Sequence, residues 1–82
     1  MLSEEHYVTG RTLRKYGRCL AGLQRFPEAE TALLHARRTL IESVGSDHAE
    51  TGKVAANLVE LYEAWGKPDE AARWGAAVAA AN

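Results

Sequence analysis

Three polar residues, Arg11, Lys15 and Arg18, step by four and then three. That spacing puts them on one side of a helix. Lys53, Asn57 and Glu60 repeat the same steps 42 residues later. Two polar stripes at one fixed offset form a candidate binding surface. Asn57 carries both a donor and an acceptor and can bracket a backbone peptide unit. Arg11, Lys15 and Lys53 can attract carboxylates. Such side chains suit a ligand that carries carboxylates. The bland alternative for these residues is a solvated helix face with ordinary i, i+4 charges.

Other chemistry finds little support. His6, His35 and His48 lie 29 and 13 residues apart. None forms an i, i+3 or i, i+4 pair with another histidine or with Cys19, whereas a zinc site needs about four ligands at close spacing. No metal and no cofactor is expected. Cys19 sits one residue before Leu20 in a helical pattern, and reads as a packed or half-exposed thiol rather than a nucleophile. Gly10, Gly17 and Gly22 lie within or at the end of a helix, so they make no phosphate loop. Glu4-Glu5 and Asp69-Glu70 suit the positive end of a helix dipole. The chain therefore reads as non-catalytic. Arg37-Arg38 with Arg14 and Arg18 have no interleaved aromatics to stack on bases, which argues against nucleic acid.

The elements that carry these residues follow from apolar spacing. Leu13, Tyr16, Leu20 and Leu23 form one series. Phe26, Ala29, Leu33, Ala36 and Leu40 form a second. Val54, Leu58, Leu61 and Trp65 form a third, and Ala71, Gly75 and Val78 a fourth. No stretch alternates with period two for long, so no strand is expected. Pro27 and Pro68 suit the first turns of helices. Gly45-Ser46 and Gly66 end helices. Asp47 with Glu50 reads as a capping box, and His48 belongs to the linker and cap. The predicted helices cover about 4–23, 27–44, 48–65 and 68–80. Short connections make neighbours antiparallel. Gly17, Ala29, Ala32 and Ala36 are expected at the first contact, and Ala71, Ala72 and Gly75 at the second. Tyr16, Leu20, Phe26, Leu58, Tyr62 and Trp65 are expected to fill the gaps.

Composition bounds the class. Eighty-two residues make one small domain or a fragment of a longer array, and 46% hydrophobic with 26% charged residues excludes a disordered tail. The lone cysteine excludes an internal disulfide. No apolar run approaches the roughly 20 residues that span a bilayer, and the acidic start is not a secretory leader. The expected setting is cytoplasmic, with no membrane partner. Net charge is −1 overall, but residues 1–41 carry +3 and residues 42–82 carry −4. Such a dipole suits head-to-tail contact with a copy or with adjacent repeats. The fourth helix is small and apolar almost all round. Trp74, Ala77 and Val78 mark it as a second candidate surface, for self-association as a homodimer or for docking. The alternative there is a Trp74 that folds inward.

The offset of 42 runs through the whole chain. Tyr16 falls on Leu58, Leu20 on Tyr62, Leu23 on Trp65, Glu28 on Glu70 and Ala29 on Ala71. A helix pair repeated at a fixed period means a solenoid. The run Tyr16-Gly17, Leu20, Gly22-Leu23, Phe26, Glu28-Ala29, Leu33, Ala36 resembles the tetratricopeptide repeat family. So does Leu58, Tyr62, Gly66, Glu70-Ala71. The linker from Val44 to Thr51 is similar to that of the 42-residue subclass found in kinesin light chains and many bacterial multi-repeat proteins. The stretch Leu61–Trp74 resembles the last repeat of such bacterial arrays, some of which follow a serine/threonine kinase domain. Val59 and Gly75 depart from the family's size preferences.

The resemblance implies an all-α fold of two stacked antiparallel helix pairs, repeat one over about 4–44 and repeat two over about 48–80. It implies a non-catalytic protein–protein interaction module whose first helices line a concave, peptide-binding groove, here Arg11, Lys15, Arg18, Lys53, Asn57 and Glu60, for a partner protein or peptide with an acidic or C-terminal segment or for a helix. The spacing Lys53-x-x-x-Asn57 is similar to part of the carboxylate clamp of co-chaperone repeats, with Lys15 where the first-repeat asparagine would stand. The alternative role is a terminal piece or cap of a longer scaffold, or a self-associating unit.

Overall fold

The computed structural model describes the backbone of residues 2–81 and the side chains of residues 5–78. Four helices follow one another: α1 (Leu2–Gly22), α2 (Phe26–Val44), α3 (Ala49–Ala64) and α4 (Pro68–Ala81). Among the described residues there is no strand. The all-α architecture of stacked helical hairpins is the one expected.

The two hairpin turns are built alike. After α1, the Arg25 N–H donates to the Leu20 carbonyl at 2.9 Å and the Gln24 N–H to Ala21 at 3.0 Å. After α3, the Lys67 N–H donates to Tyr62 at 2.8 Å and the Gly66 N–H to Glu63 at 3.3 Å. These paired bonds satisfy the last helical carbonyls and require a left-handed residue between them. Gln24 (φ 62°) and Gly66 (φ 76°) take that place, 42 residues apart. Proline in the first turn of α2, with Glu28 beside it, then starts the return helix.

The start of α3 departs from expectation. The cap is His48, not Asp47: the imidazole Nδ1 accepts the Glu50 N–H at 3.0 Å. Asp47 is exposed. Glu50 turns away from the cap and is buried, which removes it from a capping box. The linker is held instead by Thr51, whose hydroxyl donates to the Gly45 carbonyl at 2.8 Å.

The first hairpin closes through glycine. A Cβ at Gly17 would lie 2.7 Å from Leu33 Cγ, and one at Gly10 would lie 2.6 Å from Leu40 Cγ. Leu33 and Leu40 are fully buried, and they fill the space that two missing side chains leave. Ala29, Ala32 and Ala36 line the same contact and are buried. The second hairpin is looser than expected. Ala71 is buried, but Ala72 is exposed, and a Cβ at Gly75 would meet nothing within 4 Å. Gly75 is therefore not a point of close approach.

α3 joins the hairpins by packing on α2 and, more lightly, on α1. Val54, Leu58 and Leu61 are buried in this seam, each contributing about 1.5–3 kcal/mol by leaving water. Phe26 stacks on Trp65 with ring centroids 5.7 Å apart. The Tyr62 hydroxyl donates to Glu30 at 2.7 Å. Burial, and then the Glu30 carboxylate, push the Tyr62 phenol well above its ordinary pKa. Two residues expected in the core lie outside it: Tyr16 is 56% exposed and Leu23 68%. Their counterparts Leu58 and Trp65 rest on α2, whereas among the described residues no element covers that face of α1.

Candidate functional site

α1 and α3 run side by side, so the two polar stripes meet. The link between them is Arg14, whose guanidinium donates to the Asn57 side-chain oxygen at 3.2 Å. The Asn57 amide nitrogen donates in turn to Glu60 at 3.4 Å. Asn57 thus uses one acceptor and one donor internally and keeps one of each for another molecule. Arg14 is only 8% exposed. Its side chain rises one residue off the apolar stripe of α1, and α3 covers it.

A buried carboxylate organises the other end of the strip. Glu50 is 7% exposed. It lies 3.4 Å from Arg11, 3.8 Å from Arg14 and 3.7 Å from Lys53. Arg14 Nε and Glu50 Oε2 are both buried without a hydrogen bond, so they attract only as charges across their 3.8 Å gap. Arg11 also stands over the Tyr7 ring at 5.6 Å, and Tyr7 meets His48 edge to face at 5.7 Å. Sequence reasoning missed both Arg14 and Glu50. The signal available was their offset: each lies one helical turn from a groove residue on the side toward the other helix.

Lys15 and Arg18 are exposed, and among the described residues neither pairs with a carboxylate. Beside Arg18 lies a depression of about 340 Å³, also lined by Ala21, Gly22, Asn57, Glu60 and Ala64, with the buried Leu33 and Leu61 at its floor. The strip carries five cations (Arg11, Arg14, Lys15, Arg18 and Lys53) against Glu50 and Glu60. Its balance is +3 in a chain whose total is −1.

The second candidate surface is placed differently. Trp74 is half-buried and packed against the core, with Arg37 over its ring at 5.0 Å. Ala77 and Val78 are half-buried and line a cleft of about 480 Å³ with Arg37, the Ser46–Ala49 turn and the first turns of α3. Ala79 and Ala80 of the same apolar run lie outside the residues whose side chains are described. Cys19 is exposed. Among the described residues no cluster of three histidine, cysteine or acidic side chains could hold a metal. No described helix is long and apolar enough to cross a membrane.

Comparison with curated proteins and with solved structures returns no match. The family comparison does: the tetratricopeptide repeat matches over residues 5–81. Repeats of that family generally mediate protein–protein interactions. The match spans nearly the whole chain and all four helices, and the chain belongs to the tetratricopeptide repeat family.

Proposed function

We propose that the chain is a non-catalytic, cytoplasmic interaction module, and that the α1–α3 strip binds an acidic segment of a partner protein in extended form. Residues 1–82 act as one unit, with repeat one over about 4–44 and repeat two over about 48–80, in the manner of the 42-residue subclass. The observation that carries this reading is the pair Lys15 and Arg18, exposed and without carboxylate partners beside the half-buried Asn57. Cations in that state raise the local concentration of carboxylates and speed encounter. Asn57 then offers its remaining donor and acceptor to the backbone of the bound segment. Arg11 and Lys53 are already drawn toward Glu50 and supply field rather than direct contacts. Glu60 holds Asn57 in register.

The test is a fluorescence titration with a labelled peptide of alternating Glu and Ala ending in a free carboxylate. The wild type should bind it, and binding should weaken as salt is raised. Lys15→Ala with Arg18→Ala should weaken it about tenfold, the effect of losing about 1.4 kcal/mol. Asn57→Ala is unsuitable as a first variant, because it strands the buried Arg14. Equal affinity of wild type and double variant at low salt sinks the reading.

A further inference from the structure

The way α3 sits on the first hairpin can be translated along the chain. Adding 42 to every residue of the internal seam gives the surface that a next copy would meet, and the partners in that copy are the α3 residues less 42. Two of the translated pairs bring the exposed apolar residues Leu23 and Val8 to apolar partners, whereas Arg11–Glu50 becomes Lys53 against Val8 and Arg14–Asn57 becomes Ala56 against Lys15. The internal Phe26–Trp65 stack becomes Pro68 against Leu23 of the second copy. The Glu30–Tyr62 hydrogen bond becomes Ala72 against Leu20, but Leu20 is only 4% exposed and packs in its own core, so this position adds little to the contact. The buried Arg14–Glu50 ion pair becomes Ala56 against Val8. These three contacts, two of them polar, are replaced by pairs without a polar side chain.

The charges match as well. Internally, Arg18 and Ala21 of α1 face Asn57 and Glu60 of α3 across one depression. Translated, Glu60 and Glu63 face Lys15 and Arg18 of the second copy. Both acidic residues and both basic residues are exposed. The apolar residues on the head side are exposed too: Val8 is 59%, Tyr16 56% and Leu23 68% exposed, although the counterpart Leu58 is fully buried. On the tail side Pro68 and Ala72 are exposed and Ala56 is half-buried.

We propose that the chain stacks head to tail with a second copy of itself, α1 of one lying on α3 and α4 of the other in the 42-residue register. The contact is heterologous, so it leaves a free head and a free tail and propagates instead of closing at a dimer. The polar strip of α1 and α3 then continues across copies, gaining length without gaining residue types. Glu60 and Glu63 then cover Lys15 and Arg18, so stacking competes with the proposed acidic-peptide binding for those two cations.

The experiment is sedimentation over about a hundredfold range of concentration, where mass action drives assembly. A head variant carries Tyr16→Glu and Leu23→Glu; a tail variant carries Glu63→Lys and Ala72→Lys. All four positions are exposed, and circular dichroism checks that helicity is kept. Wild type should rise with concentration past the mass of a dimer. Each variant alone should stay monomeric, and an equimolar mixture should form dimers and nothing larger, because only one intact head and one intact tail remain. A wild type that stays monomeric overturns the proposal. So does a variant that self-associates as well as wild type, or a mixture that stays monomeric.

Discussion

The Tyr62 hydroxyl donates to the Glu30 carboxylate at 2.7 Å and so ties α3 to α2 across the seam between hairpins. A hydrogen bond to a charged acceptor is worth about 1.5–3 kcal/mol. Tyr62→Phe should therefore lower stability to urea by about 1.5 kcal/mol at neutral pH. The raised pKa of Tyr62 adds a pH signature. A phenol that ionises less readily when folded stabilises fully below its unfolded pKa of about 10, and that contribution is lost as pH climbs above it. Wild type should lose stability more steeply than Tyr62→Phe above about pH 10. Parallel curves for the two proteins contradict this role.

The twin hairpin turns make a second prediction. Gln24 adopts a left-handed backbone that costs a residue with a Cβ about 1 kcal/mol, whereas Gly66 takes it freely. Gln24→Gly should raise stability by about 1 kcal/mol, and Gly66→Gln should lower it by a similar amount. Thermal melts of the two variants give the answer, and opposite signs are required.

Glycines inside helices should also divide. Gly17→Ala gains helix propensity but drives a methyl against buried Leu33, and should cost a net 1–2 kcal/mol or about that. Gly52 in α3 has open space around it, so Gly52→Ala should gain about 0.5–1 kcal/mol. Equal effects would show that the first hairpin has slack.

Glu50 is the most exacting position. Glu50→Ala leaves Arg14 buried beside no carboxylate and should cost about 3 kcal/mol. Arg14→Met with Glu50→Met removes both charges and should cost less than the single change. Chemical denaturation of the pair decides it: a double variant weaker than Glu50→Ala contradicts the pairing.

The helices and their 42-residue offset were legible because apolar spacing and the two prolines depend only on local geometry. Gly17 was legible for the same reason: a glycine in an apolar face signals close approach. Tyr16 and Leu23 misled, since an apolar side chain has the same spacing whether or not a layer covers it. His48 displaced Asp47 because an imidazole nitrogen one residue later reached the same kind of orphan amide. Arg14 and Glu50 were missed because their burial arises only when α3 settles against α1. The two polar stripes could be read from periodicity; which of their residues were already engaged could not.

The close nesting of α1 on α2 and the open space around Gly75 also imply unequal local lifetimes. Cooperative opening units follow packing density, and the sparser unit opens at lower free energy. Amide exchange should be fastest along α4, where backbone packing reaches only α3, and slowest near Leu33 and Leu40. Limited proteolysis should clip the C-terminal hairpin first and leave a protected N-terminal hairpin. The molecule then behaves less like a single block than like a rigid base carrying a breathing lid, and that lid bears half of the polar strip.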